Sequence, residues 1–143
     1  MSGTPLQEVY TRFSSKIDED LTGKESLIYE YLLSAKSKIY KIITHSLEFI
    51  LDTPISPATV SYDGSFITIL DQDEIELLAL QMKYESYARY EAYLLALRLR
   101  VGTKDFNSLP NKKQELDGIQ NSKRLLKIEI DDLKQQFNDY KYD

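Results

Sequence analysis

The sequence predicts a mainly α fold: a four-helix bundle-like domain with two long helices and one small β-hairpin between helices 2 and 3. Three observations lead there. Apolar residues recur three and four positions apart through most of the chain, the period of a helix face. A run of residues from 72 to 101 holds neither Gly nor Pro. Between the second and third helical stretches, Asp63-Gly64 is flanked by β-branched and aromatic residues, the usual signal of a hairpin. At 143 residues the chain has the size of one domain with a sizeable core, so 1–143 is read as a single helical domain.

The first helix is expected over residues 5–17. Thr4 can cap it, Pro5 suits the first helical position and Gln7 completes a capping box. Leu6, Val9, Tyr10, Phe13 and Ile17 then form its apolar face. Thr22 and Glu25 make a second capping box, opening a helix over 25–46 with Ile28, Tyr31, Leu32, Ala35, Ile39, Ile42 and Ile43 along one side. Whether 47–51 continue it is open; Pro54 and Pro57 stop it in any case. The hairpin is placed at 59–69. The third helix, 72–101, starts on an acidic turn (Asp71, Asp73, Glu74, Glu76) that suits the helix dipole, and it ends at Gly102. At about 1.5 Å per residue it is a rod of roughly 45 Å, long for a domain of this size. Apolar residues circle most of it, so it needs cover on several sides, some of it from another chain. The last helix spans 110–137, and Leu116, Ile119, Lys123, Leu126, Ile130, Leu133, Phe137 and Tyr140 alternate spacings of three and four. That is a coiled-coil-like stripe broken only by Lys123. Residues 138–143 form a tail.

Composition removes several function classes. Apolar residues make up 42% and charged residues 29%, the profile of a folded chain. There is no Cys, which excludes disulfides, thiolate chemistry and Cys-based metal sites. No apolar run is long enough to span a bilayer, and the N-terminus lacks the pattern of a secretory signal, so a cytoplasmic site of synthesis is expected. Net charge is −5, unevenly spread: residues 98–127 hold eight basic and three acidic side chains, net +5, which leaves −10 for the rest. An acidic chain is poorly suited to wrapping nucleic acid. The basic stretch either meets an acidic partner or lines a path for DNA, or it is a solvated helix junction complementing a helix C-terminus.

Catalytic groups are sparse. His45 is the only His and has no evident Ser or Cys partner. Asp18-x-Asp20-x-Thr22-Gly23 imitates the start of a calcium loop, yet the position that should be a bidentate Glu is Tyr29. The Asp71 to Glu76 carboxylates read as helix-start acids, with no His or third ligand group expected beside them. The five glycines are scattered and form no phosphate loop. No enzyme activity, cofactor or metal is expected. Eleven tyrosines, among them Tyr84, Tyr87, Tyr90 and Tyr93, suit either a partly wet interface or ordinary helix packing.

The order of features carries a resemblance. Thr4-Pro5-Leu6-Gln7-Glu8-Val9-Tyr10-Thr11-Arg12-Phe13, then Leu70-Asp71-Gln72-Asp73-Glu74-Ile75-Glu76-Leu77-Leu78-Ala79-Leu80-Gln81-Met82, then Thr103-Lys104-Asp105-Phe106 together resemble head–tail connector (neck or adaptor) proteins of tailed bacteriophages, in particular a group from phages of Gram-positive hosts. The resemblance implies a virion structural protein of the neck region, assembled in the host cytoplasm as a homo-oligomeric, dodecameric ring beneath the portal. Its partners would be the portal protein and the next neck or tail component. DNA would pass through without sequence-specific binding, and no membrane is involved. Phe137, Tyr140 and Tyr142 become candidate portal-docking residues. Tyr84, Tyr87, Leu94, Phe66 and Ile67 become candidate subunit-interface residues. Arg98, Arg100, Lys104, Lys112 and Lys113 become candidate channel- or partner-facing basic residues. The alternative from another class is a cytoplasmic helical regulator or chaperone that binds a protein partner through the C-terminal heptad stripe.

Overall fold

The computed structural model describes residues 3–53 and 60–142, with side chains described up to residue 137. The architecture is mainly helical. In chain order it has α1 (Leu6–Ser14), α2 (Glu25–Ile39), β1 (Phe49–Leu51), β2 (Gly64–Phe66), α3 (Gln72–Val101), α4 (Thr103–Ser108) and α5 (Lys112–Tyr142).

Helix α3 is the axis on which the other helices pack. Its first half is buried nearly all round, from Glu74 and Ile75 through Leu77, Leu78, Ala79 and Leu80 to Met82. Leu6, Val9 and Phe13 of α1, Leu32, Ala35 and Ile39 of α2, and Leu126 and Ile130 of α5 close around it. The bounds of α3 agree with the sequence reading because both ends carry strong signals. Asp71 and Glu74 form a reciprocal capping box, and Gly102 leaves the helix at φ 89°.

Elsewhere the local signals are overridden. Thr4 does not cap α1: Pro5 holds the N-cap position, and the Thr4 hydroxyl accepts a buried hydrogen bond from the Leu70 amide at 2.8 Å. Thr22 does not cap α2 either; its hydroxyl donates to Asp20, and Lys24 holds the N-cap position. Helix α2 ends at Ile39, short of the expected 46. Ile43 and Leu47, read as a continuing helical face or its extension, reach the core from a turn and an irregular segment instead. Apolar spacing alone does not distinguish these.

The expected hairpin at 59–69 is corrected in the same way. Strand β2 is antiparallel to β1, with Phe49 opposite Phe66, Ile50 opposite Ser65 and Leu51 opposite Gly64. Gly64 is therefore a strand residue, not half of a tight turn. A Cβ there would lie 2.2 Å from the Ile50 carbonyl oxygen, which explains the glycine. Thr59, at the expected start of the hairpin, lies outside the described residues. On its other edge β2 meets the N-terminal segment, where the Phe66 amide donates to Thr4 O at 2.8 Å and the Thr4 amide to Thr68 O at 3.0 Å. Phe49, Phe66, Tyr29 and Tyr62 pack edge to face beneath this patch, and the Tyr10 hydroxyl donates to Tyr62 O at 2.7 Å.

Beyond the main core, the second half of α3 projects with α4 and the first half of α5 as a helical arm. The arm has its own small core, in which Leu94, Phe106 and Leu116 are buried and Leu95, Leu97, Val101 and Ile119 pack around them. Helix α4 was not foreseen from the sequence. It is six residues long and has one apolar anchor, Phe106, too little for a periodic signal. Asn111, at φ 63°, sits between α4 and α5, and α5 runs from Lys112 to Tyr142 rather than over 110–137, taking in most of the expected tail.

Candidate functional site

Two groupings of functional side chains stand out among the described residues. The first is a titratable cluster. His45, Asp71 and Glu74 place one potential ligand atom each within 4.8 Å of one another. The sequence reading expected no His beside these acids; the turn after α2 brings one there. The buried Glu74 carboxylate takes the Asp71 amide at 2.8 Å on Oε1 and the His45 amide at 3.2 Å on Oε2, and Oε1 lies 2.6 Å from His45 Nδ1. The Asp71 carboxylate in turn accepts the Glu74 amide. Two backbone N–H groups and the His45 ring thus converge on one buried carboxylate. The hydrogen bond and charge of Glu74 hold the His45 pKa above its ordinary value.

The second grouping is the arm. Glu91 of α3 and Lys123 of α5 pair at 2.7 Å, which fixes the register of the two helices and accommodates the polar break in the heptad stripe. The Lys123 ammonium also lies over the Tyr84 ring, 5.1 Å from its centroid, and the Glu91 partner pushes its pKa up. Near the tip, Glu115 accepts the Tyr90 hydroxyl at 2.9 Å and the Lys112 ammonium at 3.2 Å; these donors hold its carboxyl below the usual range. Tyr90 stacks on Tyr93 at 6.1 Å. The heptad stripe is consumed within the chain: Leu116, Leu126 and Ile130 are buried against α3 or the small arm core.

What the arm leaves bare is more informative. Arg89, Ala92, Tyr93, Ala96, Leu99 and Arg100 are all exposed and recur at helical spacing, so they form one outward face of α3. Leu99 is 87% exposed, the largest value among the exposed large apolar residues of the described chain. On α5, Leu125 and Ile128 are exposed on the side away from the stripe that packs on α3. Neither face was singled out from the sequence. Alanines carry little hydropathy signal, and Leu94, expected to contribute to the apolar surplus of α3, is interior.

The expected interface residues separate into two groups. Leu94 and Phe66 are fully interior, at 0% and 1% exposure, and have no surface to offer a neighbour. Leu94 is claimed by the arm core, and Phe66 by the sheet and main core. Tyr84 and Tyr87 are half-buried against the main core, with lysine ammonium groups over their rings. Ile67 is exposed, as are Ile50 and Ile69 near it. Of the expected basic residues, Arg100, Lys104 and Lys113 are exposed, Arg98 is half-buried, and Lys112 is paired with Glu115. All five lie at the arm tip, where residues 98–113 hold Asp105 as the one acid. Of the expected docking residues, Phe137 packs half-buried against the main core, while the side chains of Tyr140 and Tyr142 lie outside the described residues. No described helix is long and apolar enough to cross a membrane. Compared with protein-family models, with curated proteins and with solved structures, the chain matches none.

Proposed function

We propose that this chain is a structural head–tail connector subunit that forms a ring below a phage portal, extends the DNA channel and joins the capsid vertex to the neck. The observation that carries the reading is the bare outward face of α3 on a projecting arm. Ala92, Tyr93, Ala96 and Leu99 form a continuous apolar strip beside a core that is already closed, which is surplus to the needs of an isolated subunit. A ring requires such unspent surface on each subunit. The resemblance of residues 4–13, 70–82 and 103–106 to phage connectors supplies the biological setting. A basic arm tip on an otherwise acidic subunit suits a contact with an acidic partner surface, while the acidic body does not hold passing DNA.

The alternative, a regulator gripping a partner through the heptad stripe of α5, is disfavoured, since α3 and the arm core already occupy that stripe. The test is to mix the purified protein with portal-bearing capsids of the same phage and image the vertices by negative stain. Ring-shaped density added beneath the portal is expected. Bare portals at saturating protein would overturn the reading.

A further inference from the structure

We propose that successive copies of this chain join side to side, the bare α3 face of one arm receiving the outer face of α5 from the next copy. The proposal rests on the connector reading only in expecting copies to meet in series; the two faces come from the geometry.

The α3 face has small Ala92 and Ala96 beside the exposed Tyr93 ring, Leu99 toward the tip, and cationic Arg89 and Arg100 at its margins. The outer face of α5 has the opposite character. Leu125 and Ile128 protrude, and exposed Glu129 and Asp132 follow them one turn on. Protruding Leu125 and Ile128 meet the two alanines beside Tyr93, and carboxylates meet guanidinium groups. Arg89 is only loosely held in the subunit, 4.0 Å from Glu30, with both side chains well exposed. Among the described residues, Arg100, Glu129 and Asp132 form no ion pair. Since the two faces differ and both belong to the same subunit, the contact is heterologous, and each subunit offers one of each. The Glu91–Lys123 pair sets Leu125 and Ile128 nearer the body than Ala96 and Leu99. Neighbouring arms therefore meet with an axial offset, and a closed ring built this way has arms inclined to its axis.

The absence of cysteine makes the test direct. Ala92→Cys and Leu125→Cys are both exposed substitutions that leave the cores untouched. Full-length double variant A92C/L125C, oxidised in concentrated solution and on portal-bearing capsids, is expected to give a ladder extending beyond dimers on a non-reducing gel. An equimolar mixture of the two single variants should stop at dimers, and each single variant alone should stay largely monomeric. Dimers from either single variant as abundant as those from the mixture would indicate a twofold or random contact and overturn the proposal. So would the absence of cross-linked species from both settings. A missing ladder with rings still present beneath the portal would sink this interface alone. A ladder without decorated portals would sink the connector reading and leave the interface standing.

Discussion

Glu74 accepts hydrogen bonds from the Asp71 and His45 amides and sits against the His45 ring, so one buried carboxylate ties the start of α3 to the chain leaving α2. The acids of this arrangement were visible in the sequence as a helix-start turn that suits the dipole, but their reciprocal capping was not read there. The His45 contact was not legible either, because 29 residues separate the partners and nothing local marks the turn that joins them. The pairing has a pH signature. His45 has its pKa raised above the ordinary 6.5 in the folded chain, so its stabilising contribution is complete below the unfolded value. It is lost as pH rises through the folded value. Between about pH 6 and about pH 8, the melting temperature of the native protein should therefore fall more than that of Glu74→Gln, which lacks the attracting charge. An NMR titration of the His45 ring should show its pKa dropping in the same variant. Parallel melting curves and an unmoved titration would show that the pair does not couple to folding.

Among the elements, those with signals at both ends were legible and those that depend on distant neighbours were not. Helix α3 is bounded by the Asp71 box and Gly102, and its limits follow from the sequence. Helix α2 ends early although Ile42 and Ile43 keep the apolar rhythm, because the chain must turn there to deliver His45 to Glu74 and Phe49 to Phe66. The sheet shows the same dependence. Asp63-Gly64 looks like a turn, yet Gly64 pairs with Leu51, and its hydrogen in place of a side chain lets β1 approach. Gly64→Ala would put a methyl group 2.2 Å from the Ile50 carbonyl oxygen and should cost more than about 1 kcal/mol by urea denaturation, since the clash is with backbone. Surface Gly118→Ala meets nothing within 4 Å and should instead raise stability by up to about 1 kcal/mol. Equal effects from the two substitutions would contradict the strand assignment.

At the scale of the molecule, the division into a closed body and a projecting arm was not legible. The apolar surplus of α3 was apparent, but α4, which folds the small arm core around Phe106, gives no periodic signal. The two cores make separable predictions. Phe106→Ala removes the largest side chain of the arm core, a change that typically costs about 3–5 kcal/mol at a buried site. Because the body does not contain Phe106, hydrogen exchange should quicken across residues 94–119 while amides around Leu32, Phe13 and Leu78 keep their protection. Uniform loss of protection would mean the two cores fold as one cooperative unit. One consequence of the continuous third helix is mechanical. It enters both cores with no glycine or proline between them, so the chain has no built-in hinge there. A push at the free end should arrive at the base as rotation of the entire subunit rather than as bending of a joint.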